Sequence, residues 1–543
     1  MGTTTNVSVS YTASGGGSGT SNLQVENAYI TQAVQTWSGA AALVANREAL
    51  VRVFVTAAAS NTVQPTVRVR LFENGALFRT LTIPAPGAGV PTSVNEGVLT
   101  SSWNVVIPAG DVRPGLQLLV DVDPANALGE SDRSDNVWPR TGAPRAVPTN
   151  TVAPLTVRFV PVTVAGLTGD VSAANLDLYG GMMRDVWPLS AVTVSVRAPF
   201  TSSAAALQSN DGNRAWGAVL SELGVLRTTD AAPSTTHYYG VVKTSYGSGV
   251  AGVATTPGRT AVGWDASGTA ARITAHEIGH NFGLEHSPCG VSGSGSYPHA
   301  GGVIGSWGWD RASNSLVSPT ATDVMGYCST QWISEWTWTR AMTNRSFFGI
   351  MAEASVGDAL VVWGREVDGT LVLEPSFRTR ARLTKPAGTG THRVVVRGAS
   401  GAELVSTALP LEAVEHTDGT RVFALAIPWN DAWEREITAV EVFDVRNPAG
   451  ARAIERGMAT AMVRAGDPAP SDPLESVRLE GRAGGRAVVR WDDRRHKLAV
   501  VRDATSGEIM ALLRTDGVTI RETGRPLEVM LSDGLHTRGR GFK

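Results

Sequence analysis

The sequence predicts a multidomain protein in which one α/β domain is flanked by all-β domains of the immunoglobulin-like sandwich class. Its 543 residues exceed the length of a usual single domain, about 50–250 residues. The 59 glycines and 28 prolines, with many short segments that alternate apolar and polar residues, are typical of β structure rich in turns. Between residues 155 and 345, predicted strands alternate with helical patterns instead, which indicates a mixed α/β domain.

The N-terminal region predicts a flexible tail followed by a β-sandwich. Residues 1–22 are rich in Ser, Thr and Gly, as linkers are. Residues 51–55 and 67–72 alternate with period two, and Asn74-Gly75 supplies a hairpin turn. Another strand is expected at 116–123. We therefore place a sandwich domain at residues 23–148.

The end of this sandwich carries a dense group of acidic residues. Its stretch 124–136, Pro-Ala-Asn-Ala-Leu-Gly-Glu-Ser-Asp-Arg-Ser-Asp-Asn, resembles the last strands of bacterial CARDB-type immunoglobulin-like modules. The carboxylates could bind Ca²⁺. Alternatively, they bond to the backbone of their own turns, which is the interpretation we favour. The residues concerned are Asp121, Asp123, Glu130, Asp132 and Asp135.

The α/β domain is placed at residues 149–345 and the remaining chain in two β domains. Strands are expected at 155–164, 192–196, 236–242, 249–254 and 260–264, and helices at 175–187, 213–223, from about 269, and at 331–338. Period-two patterns predict a β-sandwich at 346–466 and a small β domain at 474–543, divided by the Pro-rich segment 466–473. The C-terminal histidines have no ligand spacing, so we interpret them as ordinary surface or core residues: His392, His416, His496 and His536.

One motif in the α/β domain carries chemistry. Residues 274–287 read Thr-Ala-His-Glu-Ile-Gly-His-Asn-Phe-Gly-Leu-Glu-His-Ser. His276 and His280 are four apart and share one helix face, so both imidazoles can reach one Zn²⁺ with Glu277 in the general-base position. Gly283 allows the chain to leave the helix and bring His286 round as a third ligand. A surface helix rich in histidine is the alternative, but three of nine histidines fall within residues 276–286.

The motif and a later methionine resemble the metzincin clan of zinc endopeptidases. Met325 follows in a Val-Met-Gly-Tyr context. The resemblance implies that Met325 forms a hydrophobic floor beneath the metal and that Tyr327 binds the metal or steadies the oxyanion. The Pro-Cys-Gly, Gly-x-Trp-Gly-Trp-Asp and Met-Gly-Tyr-Cys segments are most similar to secreted bacterial StcE-like peptidases. This subfamily resemblance implies flanking β-modules and suggests glycoprotein substrates.

Two further features lie around this motif. Cys289 and Cys328 are the two cysteines of the chain, and we favour a disulfide over two free thiols or a zinc thiolate, which implies an oxidising compartment. His299, Trp307 and Trp309 line a cleft or form local core, with neither alternative preferred. In the clan, substrate runs antiparallel to an edge strand. The expected edge consists of Gly249, Val250, Ala251, Gly252, Val253 and Ala254.

These observations predict a secreted zinc metalloendopeptidase with one catalytic Zn²⁺, a protein or glycoprotein substrate and a monomeric state. A net charge of −2 offers no basic field for nucleic acid, and no run of about twenty apolar residues could span a membrane. The N-terminus lacks a signal-peptide pattern, so we expect an export segment to have been removed or replaced; a cytoplasmic protein is the alternative. The competing functions are an adhesin or glycan-binding protein in which the β-modules carry the main function, and a structural zinc site.

Overall fold

The computed structural model describes residues 22–542 except 131, 349–353, 386–389, 418, 456–471, 484 and 522–523. The predicted tail therefore lies outside the described residues apart from Asn22, and the Pro-rich divide apart from Asp472 and Pro473. The chain falls into two compact units, residues 1–150 and 151–543. Among the described residues, strands hold 42% and helices 14%, which confirms the β-rich character of the predicted fold class.

The first unit contains two main antiparallel sheets around one core. One sheet has the order β1-β3-β6, and the other runs β5-β4-β7 with β8 and β9 beside β7. Both sheets contribute buried side chains to the same cluster, including Val51 and Trp103 from one and Val69 from the other. Its strands are β1 Leu23–Thr31, β2 Leu43–Val44, β3 Ala49–Ala57, β4 Val67–Glu73, β5 Ala76–Ile83, β6 Trp103–Ile107, β7 Leu116–Val122, β8 Val137–Trp138, β9 Arg145–Ala146 and β10 Thr149–Asn150.

The acidic residues of this unit have partners within the protein. Asp121 pairs with Arg68 and Arg70. Both carboxylate oxygens of Asp123 accept backbone N–H groups, from Ala127 and Leu128 at 2.9 and 3.0 Å. This is the turn chemistry that the sequence favoured over a Ca²⁺ site.

The second unit begins with alternating strands and helices. Strands β11, β13, β15 and β17 are parallel, and β16 pairs antiparallel with β17. The elements up to residue 348 are β11 Leu155–Val164, β12 Leu167–Thr168, α1 Leu176–Val186, β13 Val192–Val196, β14 Phe200–Thr201, α2 Ala215–Thr229, β15 Thr236–Val242, β16 Gly252–Thr256, β17 Thr260–Trp264, α3 Ala270–Asn281, β18 Gly308–Asp310, β19 Ser315–Val317, β20 Thr322–Asp323, β21 Gln331–Trp332 and α4 Glu335–Phe348.

Three of these elements differ from the prediction. Helix α2 continues to Thr229, because Val225 and Leu226 extend its buried face. The closing helix begins at Glu335, since Gln331 and Trp332 pair with β20 instead. Strand β16 begins at Gly252 rather than at residue 249.

The C-terminal strands extend the same sheet. Strand β27 pairs antiparallel with β16, and β34 pairs parallel with β14. One buried cluster includes Val162, Trp363 and Met530. The elements are β22 Val356–Val367, β23 Thr370–Leu373, β24 Phe377–Arg382, β25 His392–Gly398, β26 Glu403–Leu409, β27 Glu412–Val414, β28 Arg421–Pro428, α5 Trp433–Glu436, β29 Ile437–Asp444, β30 Asn447–Glu455, β31 Arg478–Ala483, β32 Arg486–Arg490, β33 Leu498–Asp503, β34 Ile509–Leu513, β35 Val518–Arg521, β36 Leu527–Ser532 and β37 Thr537–Phe542.

This sheet bears on the predicted domain boundaries. Residues 346–466 and 474–543 were expected as separate domains. Strands of both ranges nevertheless belong to the same sheet as β11, β15, β16 and β17. The boundaries stay predictions. Because β27 pairs with β16, residues of the C-terminal part of the chain lie close to the side of the sheet on which α3 packs.

Candidate metal centre

Helix α3 carries the first part of the site and ends where the sequence predicts. It is buried from Ile273 to Asn281. Gly283 has a φ of 77°, a backbone conformation that glycine adopts at little cost, and there the chain turns out of the helix. This turn returns His286 toward the two histidines of the helix.

The three histidines of the motif converge through their Nε2 atoms. The His280 Nε2 atom lies 3.1 Å from that of His276 and 3.2 Å from that of His286. Ligands about 2.05 Å from a tetrahedral metal are separated by about 3.3 Å, so the spacing fits one zinc-sized ion. The residues present therefore fit the metal that the motif implies.

Backbone carbonyls fix two of these imidazoles. The Nδ1 atoms of His276 and His280 lie 2.8 Å from the carbonyl oxygens of Val324 and Leu284. An Nδ1–H that donates to a carbonyl leaves the Nε2 lone pair free for a metal. Burial lowers the pKa of His276 to about 3 and that of His286 to about 4, so both remain neutral near pH 7.

Glu277 lies beside these ligands in a buried position. Its side chain is 2% exposed, and its Oε2 atom has no hydrogen-bond partner among the described residues. Burial, with a smaller contribution from Glu415, raises the pKa of Glu277 well above its usual range. Strand β16 approaches closely, because a Cβ added to Gly252 would lie 2.5 Å from the Glu277 Oε1 atom.

A fourth histidine joins the site from the C-terminal strands. His416 follows β27 with a φ of 64°. Its ring centroid lies 5.3, 4.9 and 4.8 Å from those of His276, His280 and His286. The three motif rings are separated by the same 4.8–5.3 Å. One ligand atom from each of the four lies within 4.8 Å of the others, so the group could hold a metal ion.

The interpretation of His416 as an ordinary residue is therefore wrong. Its position depends on the pairing of Thr255 and Thr256 in β16 with Val414 and Ala413 in β27. That pairing joins residues far apart in sequence, and no ligand spacing near residue 416 signals it. His392, by contrast, lies beside Glu366 in a different place.

The methionine and tyrosine after the motif both lie at the centre. A Cβ added to Gly279 would meet the Met325 sulfur at 2.3 Å, so this sulfur packs directly against α3. The Tyr327 hydroxyl forms a hydrogen bond with His416 Nδ1. Burial of the hydroxyl raises the pKa of Tyr327, although the residue as a whole is 46% exposed.

The predicted disulfide is confirmed. Cys289 and Cys328 are bonded, with 39 residues of sequence separation. Backbone bonds reinforce the connection: Ser287 N–H donates to the Met325 carbonyl at 3.0 Å and Tyr327 N–H donates to the Cys289 carbonyl at 2.7 Å. The loop of the third histidine and the methionine turn are thus held together.

A cleft of about 710 Å³ opens beside His276, Glu277 and His416. Four of the six predicted edge residues line it, namely Gly249, Val250, Ala251 and Gly252, together with Trp264, Arg272, Tyr327 and His416. Val253 and Ala254 are fully buried.

The predicted aromatic lining is not found in this cleft. Trp309 is 1% exposed and donates from Nε1 to Asn314, and neither it nor Trp307 belongs to the lining. His299 pairs with Glu335 instead. The local-core alternative therefore describes Trp309. The tryptophan in the cleft lining is Trp264, from β17.

Comparisons with known proteins bear on this region. A family model described as Peptidase M66 matches residues 232–340, which supports a peptidase. This range includes the three motif histidines, Glu277 and Tyr327 but not His416. No curated protein sequence matches the chain significantly.

Several solved structures are also similar to the chain. The CARDB domain of a Pyrococcus furiosus protein, in complex with di-metal ions, is 18% identical over 24% of this chain and 94% of that chain, with a TM-score of 0.16. Parabacteroides merdae β-glucuronidase is 9% identical over 96% and 78%, with a TM-score of 0.14. A Bacteroides vulgatus β-glycosidase is 8% identical over 96% and 80%, also with a TM-score of 0.14.

Proposed function

We propose that this protein is a secreted zinc-dependent endopeptidase of the metzincin kind that cleaves extracellular proteins, including glycoproteins. The observation that carries the proposal is the convergence of three Nε2 atoms at 3.1–3.2 Å beside a buried Glu277 and an open cleft. The Peptidase M66 match supports the peptidase part of this proposal. The disulfide supports an oxidising, extracellular location, and among the described residues no helix is long and apolar enough to cross a membrane.

The chemistry needs a metal, a base and a place for the substrate. His276, His280 and His286 would hold Zn²⁺, which when bound makes water a good nucleophile near neutral pH and polarises a carbonyl group. Glu277 takes the proton of the attacking water and delivers it to the leaving amine. Its burial suits this role, because a raised pKa brings a carboxyl group closer to the operating pH.

The edge of β16 is the proposed substrate site. An extended peptide can pair with this edge around Gly252 through backbone hydrogen bonds, which impose little sequence selectivity. At Val250 the backbone is already bonded, because its N–H donates to the Ser209 carbonyl at 2.8 Å and its carbonyl accepts from the Tyr246 hydroxyl at 3.0 Å. At its other end the edge is also occupied, because Glu415 N–H already donates to the Ala254 carbonyl at 2.9 Å. The small residues of this edge leave room for a modified chain, as in a glycoprotein.

The test is proteolysis by the metal-loaded full chain and its Glu277→Gln variant. Substrates are an unfolded protein and a mucin-type glycoprotein, each with and without enzymatic deglycosylation. We expect cleavage by the variant to fall by about 100- to 10,000-fold with unchanged zinc content, since only the base is lost. His496→Ala, a histidine distant from the motif in sequence, is the control. Equal cleavage by the Gln variant would refute the proposal, and cleavage that does not change on deglycosylation would refute a requirement for glycans.

A further inference from the structure

His416 presents one ring nitrogen that the three-histidine site does not explain. Its side chain is 9% exposed, and its Nε2 atom has no hydrogen-bond partner among the described residues. That nitrogen lies 3.5 Å from Glu277 Oε1. A buried polar atom without a partner costs free energy, so this nitrogen beside the base is available to a ligand in the cleft.

The tautomer of His416 follows from what surrounds its two nitrogens. At Nδ1 the partner is the Tyr327 hydroxyl, which can donate or accept. At Nε2 a carboxylate oxygen of Glu277 lies 3.5 Å away, and it accepts in the ionised form that the role of general base requires. A proton on Nε2 is favoured there, so Tyr327 donates to Nδ1 and Nε2–H points toward the metal site. The opposite tautomer would make His416 a fourth metal ligand instead.

We propose that His416 is a further catalytic residue, whose Nε2–H donates a hydrogen bond to the carbonyl oxygen of the scissile peptide as negative charge develops on it. This inference rests on the proposed function. No proton is transferred from His416, and the hydrogen bond strengthens as the charge grows. Tyr327 is then a positioning residue that fixes the tautomer of His416, whereas the clan resemblance implies that its hydroxyl acts directly on the metal or the oxyanion.

The hairpin that carries His416 is suited to this task. Val414, two residues earlier, is 5% exposed and belongs to the core cluster that also contains Val253 and Val262. Strand pairing with β16 fixes the turn on the other side. A donor held by a packed core needs little reorganisation during the reaction, which is the condition for strong charge stabilisation.

Two variants of His416 separate its donor role from its structural role. Asn tolerates the left-handed backbone at this position but is too short to reach the site. Gln carries an amide N–H at a similar distance from the backbone. We expect His416→Asn to lower kcat by about 100- to 1000-fold with KM and zinc content close to those of the wild type, and His416→Gln to recover a substantial part of kcat. Lower zinc affinity in both variants, with equal or higher kcat, would identify His416 as a metal ligand and overturn the proposal.

The role of Tyr327 is tested by a double-mutant cycle and by nitrogen-15 NMR of the zinc-loaded full chain. Tyr327→Phe should lower kcat by about tenfold alone but little in the His416→Asn background, because coupled residues are non-additive. The imidazole signals that disappear in His416→Gln identify the His416 ring. We expect these signals to show a proton on Nε2, and a proton on Nδ1 instead would overturn the proposal. If His416→Asn is fully active while Glu277→Gln is inactive, the role of His416 is refuted and the proposed function stands. If Glu277→Gln is fully active, the proposed function itself is refuted.

Discussion

The metal helix with its following turn, residues 270–286, and the hairpin of β27 and β28, residues 412–428, reach the same site by different physical routes. The first brings three histidines together within eleven residues, through the period of one helix and one glycine turn. The second brings His416, which lies 130 residues after His286 (416 − 286), through the pairing of β27 with β16. The spacing of residues along one helix can be read from the sequence, whereas the strand with which β27 pairs cannot.

The largest expected effect tests the helix side of this comparison. His280→Ala removes the ligand whose Nε2 atom lies 3.1 and 3.2 Å from those of His276 and His286. We expect metal affinity to fall by more than about 100-fold, because loss of a residue that merely supports a ligand can already lower affinity about 10- to 100-fold. Zinc content after dialysis and cleavage rate are the measurements. The control is His496→Ala. Retained zinc in His280→Ala would mean that His416 completes a site of its own.

The disulfide tests how much the metal loop depends on its covalent connection. Cys289→Ser with Cys328→Ser opens a loop of about 39 residues. We expect the free energy of unfolding to fall by about 4 kcal/mol, the chain-entropy value for a loop of this length. Denaturant unfolding measures it, with the oxidised wild type as reference. A change below about 1 kcal/mol would show that the backbone bonds between residues 287–289 and 325–327 suffice.

A third variant tests whether the hairpin belongs to the core. Val414→Ala removes two methyl groups from a side chain that is 5% exposed, which should cost about 2 kcal/mol of stability. Val445→Ala, at a side chain that is 42% exposed, is the matched control and should change stability by less than about 0.5 kcal/mol. Thermal unfolding compares the two. Similar midpoints would indicate a hairpin that is only loosely attached.

The smallest expected effect concerns β16, the strand that contacts both the metal helix and the hairpin of β27 and β28. Gly252→Ala places a Cβ 2.5 Å from Glu277 Oε1, so the carboxylate must shift. We expect kcat/KM to fall by about tenfold, or about 1.4 kcal/mol. Gly268→Ala, whose Cβ would meet nothing within 4 Å, should behave as the wild type. Equal kcat/KM for the two variants would show that Glu277 tolerates displacement.

Much of the regular structure was predictable because its pattern is local. The period-two strands at 155–164 and 260–264, and the helix from about 269, occur within one or two residues of their predicted positions. The closing helix was misplaced, because Gln331 and Trp332 pair with β20 and the helical pattern does not record that contact. Trp307 and Trp309 were ambiguous because composition does not say on which side of a loop a tryptophan packs.

By itself, the sequence determined the three motif ligands and their neighbouring base as candidates, the glycine turn and the disulfide pair. Each depends on the spacing of residues along one helix, on one positive φ or on there being two cysteines. The tertiary structure alone decided that His416 faces Glu277, that β27 occupies the edge beyond Ala254, and that strands from residues 356–542 continue the sheet that begins with β11. The physical reason is that backbone hydrogen bonds between strands can join any two extended segments, so the partner is selected by packing of the whole core.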